Sequence, residues 1–217
     1  MFGKEKILAL LLLLSGSVFA AGPLVKDMIF VSFDTETTGF SRDKDRLVEI
    51  GAVKFRGNGD VLATTNWLVN PQREIPYYAT KVHGITAEMT AEAPVFAEIW
   101  PEFEAFCDDA ILFAHNAPFD IGFLRAELKR AEIEPPALPL VDTLPLFRAW
   151  FPHALSHSLE KLSLYLEISE GTYHRAEADS FHVMNIFNVG MQRRSSWTLK
   201  RLERDAGGVE WLDGERH

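Results

Sequence analysis

An apolar run, Met28-Ile29-Phe30-Val31-Ser32-Phe33, ends abruptly in Asp34-Thr35-Glu36 and then in Thr37-Thr38-Gly39. The β-branched and aromatic run reads as a buried central strand. Side chains two apart on a strand share a face. Asp34 and Glu36 therefore project side by side from the end of a core strand. Two unpaired carboxylates that close repel each other, and burying them is costly. A divalent cation between them removes both penalties. Taken alone, the stretch also fits a strand end followed by a solvated acidic turn, so the rest of the chain has to decide.

At the N-terminus, Lys4 and Lys6 precede Ile7-Leu8-Ala9-Leu10 and a further run of leucines, and Val18-Phe19-Ala20-Ala21 follows. A basic start, a short apolar region and small residues at −3 and −1 form the pattern of a secretory signal peptide over residues 1–20. The apolar stretch falls short of the roughly 20 residues that span a bilayer. An uncleaved anchor and a misassigned upstream start codon are the alternatives. With the leader removed, no stable membrane anchor is expected. The expected location is periplasmic or extracellular, or cytoplasmic if the leader is a start-site artefact.

The formal net charge of −9 excludes a general nucleic-acid coater, which needs a basic footprint. Local binding at a metal-neutralised site stays open. Cys107 is the single cysteine, so no intramolecular disulfide forms. Its apolar neighbours Phe103 and Phe106 mark it as a buried small hydrophobe.

Beyond the opening strand, residues 47–55 and 61–69 flank the turn Arg56-Gly57-Asn58-Gly59-Asp60, so the first three strands read as an antiparallel meander. A loop with helical pieces carries Val82-His83-Gly84-Ile85-Thr86. A helix is predicted from Pro94 to Cys107, with Pro101 expected to kink or split it. Short strands at 110–114 and 140–142 alternate with helices at about 119–131, 144–151, 159–166 and 175–194. This order predicts an α/β fold: a mixed sheet, meander plus parallel strands, flanked by helices. No repeat or internal domain boundary is evident.

Two further acidic positions stand out. Asp120 ends His115-Asn116-Ala117-Pro118-Phe119-Asp120 at the start of a helix, where it also suits the helix dipole. Asp179 ends His174-Arg175-Ala176-Glu177-Ala178-Asp179. Five residues of helix turn a side chain by about 140°, so His174 is expected on the loop before the helix and Asp179 on its first turns. Separately, each could be a capping or solvated residue.

Together, in this order, the three stretches resemble the DEDD superfamily of 3′–5′ exonucleases in its DnaQ-like, histidine-containing branch. Val82-His83-Gly84-Ile85-Thr86 and Val141-Asp142-Thr143 support the resemblance, which covers roughly residues 28–190. It implies a ribonuclease H-like fold, with an exonuclease domain at 21–195 and a basic C-terminal extension at 196–217. It implies two divalent ions, magnesium or manganese. Asp34 would bridge both ions, Glu36 and Asp179 would complete the first site, and Asp120 would hold the second directly or through water. His174 would be the general base, a role that suits imidazole because the group titrates near neutrality. Thr37, Thr38 and His83 would line the pocket for the terminal nucleotide. The partner would be a single-stranded nucleic-acid 3′ end, and the product a nucleoside 5′-monophosphate.

The chain departs from the family at Tyr78, where many relatives carry an acidic residue near the terminal sugar. That leaves handling of the sugar open. Asp142 is expected to cap a helix, and His153, His157 and His182 to be packing or surface residues. Arg193, Arg194, Lys200, Arg201 and Arg204 cluster around Trp197, which suits either guidance of a single strand or a solvated helix. Residues beyond Gly208 are expected to be disordered. The competing functions are a cytoplasmic proofreading or RNA-trimming exonuclease and a non-catalytic nucleic-acid-binding module.

Overall fold

The computed structural model describes residues 22–168 and 174–215. The predicted leader at 1–20 lies outside the described residues, as does the segment 169–173. Among the described residues, no helix is long and apolar enough to cross a membrane.

Six strands form one sheet: β1 (Ile29–Thr37), β2 (Leu47–Arg56), β3 (Val61–Leu68), β4 (Ile111–Ala114), β5 (Pro139–Asp142) and β6 (Glu210–Trp211), in spatial order β3-β2-β1-β4-β5-β6. The first three are antiparallel, as the meander reading predicts, and β4 and β5 run parallel to β1. The helices are α1 (Tyr77–His83), α2 (Ala87–Thr90), α3 (Phe96–Phe106), α4 (Pro118–Arg130), α5 (Thr143–Trp150), α6 (Leu159–Tyr165), α7 (Ala176–Met191) and α8 (Leu199–Ala206).

Both faces of the sheet are covered. Val31 and Phe33 of β1 pack with Phe103 of α3 and Leu124 of α4. Phe30 faces the other way and packs with Val183 and Phe187 of α7 and with Phe147 of α5. Successive residues of β1 therefore face alternate helical layers.

Three predicted local features resolve clearly. Helix α3 runs unbroken through Pro101, against the expected split. Pro101 and Ala97, whose carbonyl the proline leaves without a helical donor, both lie on the exposed side, where water can serve that carbonyl. Asp142 caps α5 by accepting from Leu144 N, and it also accepts from Asn116 N at 3.0 Å. The end of the chain is ordered as far as residue 215, contrary to expectation. β6 pairs antiparallel with β5, Leu212 is fully buried, and Arg125 donates to the carbonyls of Trp211 and Leu212. A short, charge-rich segment gives a weak strand signal, and these tertiary partners stabilise it.

Candidate active site

Strand alternation sorts the acidic residues. Asp34 and Glu36 share the face of Phe30, toward α7, and Asp179 reaches the same place from the first turn of that helix. Carboxylate oxygens of Asp34, Glu36 and Asp179 all lie within 4.8 Å of one another. The structure thus brings together three of the four predicted metal ligands.

Asp120 stands slightly apart for the same reason. Thr35 points to the opposite face, toward α4, and its hydroxyl donates to Asp120 Oδ1 at 2.7 Å. Asp120 is buried at the start of α4. It still faces Asp34 closely enough to be the strongest of the neighbouring charges that disfavour ionisation there.

The cluster cannot hold all its charge unaided. Burial, and then the charges of Asp120, Asp179 and Glu36, raise the Asp34 carboxyl well above the usual range. Burial and the charges of Asp179, Glu49 and Asp120 push Glu36 up to about 8. Burial pushes Asp120 up to about 7 although the Thr35 hydroxyl opposes it. Burial also raises Asp179, against the His174 N–H that opposes the shift. Crowded, desolvated carboxylates of this kind are the environment a cation relieves. An all-carboxylate oxygen set suits hard ions such as magnesium or manganese.

His174 lies just before α7, as predicted, with an exposed side chain and a left-handed backbone (φ 62°). Its N–H donates to Asp179 Oδ2 at 3.0 Å, and its ring is near enough to favour the Asp179 carboxylate electrostatically.

Sequence reasoning missed Glu49 and Gly51. Glu49 stands opposite Glu36 in the β1–β2 register and is fully buried. It accepts from Arg175 Nε and Nη2, from Asn66 Nδ2 and from Ala176 N. Burial pushes its carboxyl up, but these donors outweigh that and hold it below the ordinary range. Gly51 lets α7 approach: a Cβ there would sit 2.0 Å from Glu177 N and 2.2 Å from the Ala176 carbonyl carbon. Ser180 Oγ then donates to Gly51 O at 2.9 Å. The available signal was a charged residue and a glycine inside an apolar strand, Leu47-Val48-Glu49-Ile50-Gly51. Each position requires a partner or a close approach.

The predicted pocket residues divide. The Thr37 hydroxyl donates to Gly39 O at 2.6 Å, and the Thr38 hydroxyl donates to Asp45 Oδ1 at 3.1 Å, so both hydroxyls are used within the turn. His83 is buried, and its Nδ1 accepts from Ile85 N at 3.0 Å. The ring proton therefore belongs on Nε2. Burial lowers the His83 pKa, and the Thr37 backbone opposes that shift. Tyr78 leaves its ring half exposed and donates from its hydroxyl to Thr38 O at 3.2 Å. His115 is structural: its ring nitrogens meet Thr143 Oγ1 and His157 O. The basic cluster lies beyond the far end of α7, whose 16 residues span about 24 Å. There the Arg194 guanidinium lies 4.4 Å from the Trp150 ring centre and 5.1 Å from that of Trp197.

Comparison with known proteins identifies the class. Residues 31–187 match the RNase_T family, described as "Exonuclease". The chain is 39% identical over 162 residues to the DNA polymerase III subunit epsilon of Treponema pallidum, covering 74% of this chain and 75% of that one. It is 38% identical over 177 residues to the PolC-type DNA polymerase III of Latilactobacillus sakei, covering 82% of this chain but 11% of that protein. Among solved structures, exonuclease X in complex with 5′ overhanging duplex DNA superposes with a TM-score of 0.65 at 25% identity, covering 82% of this chain and 99% of that one. The chain belongs to the RNase T/DnaQ-like exonuclease family, within the DEDD superfamily of 3′–5′ exonucleases, and shares its ribonuclease H-like fold. It is a metal-dependent enzyme class: these exonucleases use two divalent ions, and the carboxylate cluster fits them.

Proposed function

We propose that this protein removes nucleoside 5′-monophosphates from single-stranded 3′ ends, of DNA in the first place, and that it works outside the cytoplasm. The observation that carries the reaction is the convergence of Asp34, Glu36 and Asp179 within 4.8 Å, with His174 exposed at the rim. Asp34, Glu36 and Asp179 would hold one ion, with Asp34 and Asp120 holding the second. Bound there, the ions would supply an activated water and charge neutralisation at the phosphate and the leaving 3′ oxygen. His174 accepts the proton of the attacking water at an imidazole nitrogen. Asp179, accepting from His174 N, couples the position of that base to the ligand set.

DNA as substrate is supported by relatives named for DNA synthesis. Export rests on the leader pattern of residues 1–20. The similarity to a polymerase III epsilon subunit favours a second reading, a cytoplasmic proofreading exonuclease. The test uses purified protein with 5′-labelled single-stranded DNA and RNA, in magnesium, manganese or chelator. Stepwise, metal-dependent shortening that is absent in Asp34→Ala is the expected result. Tight binding without cleavage would sink the catalytic reading. Fractionation with N-terminal sequencing decides location: a mature start at Ala21 outside the cytoplasm supports export, and an intact cytoplasmic chain supports proofreading.

A further inference from the structure

We propose that Glu49 is a positioning residue for the base: it anchors the residues that follow His174 to strand β2 and so fixes where His174 stands. This rests on the exonuclease reading above. Glu49 lies on the α7 face, because it stands opposite Glu36 in the register. A fully buried carboxylate is costly unless every lone pair is used. Here two donors come from the Arg175 guanidinium, at 3.1 Å from Nε and 2.5 Å from Nη2, and a third from Ala176 N at 2.9 Å. Asn66 Nδ2 on β3 supplies the fourth at 2.9 Å.

The residues so held are the two that directly follow His174. His174 itself adopts φ 62°, a left-handed conformation that L-residues other than glycine rarely adopt and that persists only where its surroundings enforce it. Two contacts do so. Asp179 Oδ2 takes the His174 N–H, and Glu49 takes Arg175 and Ala176. Gly51, two residues along the same strand face, leaves room for the helix start to sit this close. No helix-capping side chain at Arg175 does this work; the cap comes from the neighbouring strand instead.

The experiment is a double-mutant cycle in the full chain with Glu49→Gln and His174→Ala, read by single-strand cleavage at saturating metal. Glu49→Gln is expected to lower kcat by about 10–100-fold, with KM and the half-saturating magnesium concentration changed less than about 3-fold. In the His174→Ala background the same substitution should have no further effect, because residues acting as one unit are non-additive. Amide exchange should accelerate at His174, Ala176 and Asp179 but not at Val31. An equal loss in both backgrounds, or a selective loss of metal affinity, would overturn the proposal, as would unchanged exchange. If Glu49→Gln does not fold, Arg175→Gln in the same cycle decides, with Arg175→Lys expected to recover only part of the rate, because an ammonium cannot replace both guanidinium donors. A wild-type protein without cleavage would instead refute the exonuclease reading, and the exchange measurement would still report on the anchor.

Discussion

The Thr35 hydroxyl donates to Asp120 Oδ1 at 2.7 Å, so the residue between Asp34 and Glu36 tethers the fourth carboxylate from the opposite face of the strand. The bond favours the charged form of Asp120, although burial still pushes that carboxyl up to about 7. Thr35→Val keeps the shape and removes the donor. Asp120 should then hold its proton more tightly, and the half-saturating magnesium concentration for cleavage at pH 7.5 should rise by about 3–10-fold. A magnesium titration checks this, and an unchanged midpoint would show that Asp120 is oriented by something else.

Stability of the metal-free protein should fall as pH rises. Glu36 and Asp120 have folded pKa values of about 8 and about 7 against ordinary values of 4.5 and 3.8. Between these limits the folded state binds more protons than the unfolded state, so stability decreases with pH across that window. Glu49 acts oppositely below it, because its folded pKa is depressed and its contribution is lost as acid protonates it. The unfolding midpoint in chelator should therefore peak near pH 5 and drop by about 5 °C or more by pH 8. Magnesium should raise it most at the alkaline end, where no proton has to be displaced. Thermal scans at several pH values decide, and a midpoint rising from pH 5 to 8 in chelator would contradict the carboxylate assignments.

Much of this site could be read from sequence because it is built on local regularities. The two-residue strand period put Asp34 and Glu36 on one face, and the helical period put His174 off the helix that carries Asp179. The strand period also explains why Asp120 stands apart, since Thr35 has to point the other way. What stayed hidden was non-local. That Glu49 meets Arg175 across 126 residues depends on the β1–β2 register and on where α7 lands, and neither leaves a periodic trace. Thr37 and Thr38 look like substrate hydroxyls in a motif, yet Gly39 and Asp45 already occupy them. β6 went unseen because two strand residues give no period, and its stability comes from Arg125 and β5.

Gly51→Ala tests how closely α7 must approach. The added methyl would lie 2.0 Å from Glu177 N and 2.2 Å from the Ala176 carbonyl carbon, both backbone atoms that no rotamer change can move. The helix start has to shift, taking Asp179 and the His174 loop with it. Overpacking of this kind costs about 1–3 kcal/mol, and a displacement near 1 Å at a catalytic group costs about 100-fold in rate. Activity should thus fall far more than the unfolding midpoint. Loss of both in proportion would mean that Gly51 matters to the fold alone.

Trp211 tests the ordered C-terminus independently of catalysis. Its side chain is almost fully buried, beside Leu212, at the sheet edge beyond β5. β4 and β5 separate that edge from β1, which carries Asp34 and Glu36. Replacing a buried tryptophan by alanine costs about 3–5 kcal/mol, so Trp211→Ala should lower the unfolding midpoint by about 10 °C. kcat measured well below that midpoint should stay within about 2-fold of wild type, because β4 and β5 lie between β6 and the strand that carries Asp34 and Glu36. Removing residues 209–217 should have the same two effects, since it strips β6 from β5 and takes the carbonyl partners of Arg125. A deletion that leaves the midpoint unchanged would return the tail to the disordered extension suggested by its composition.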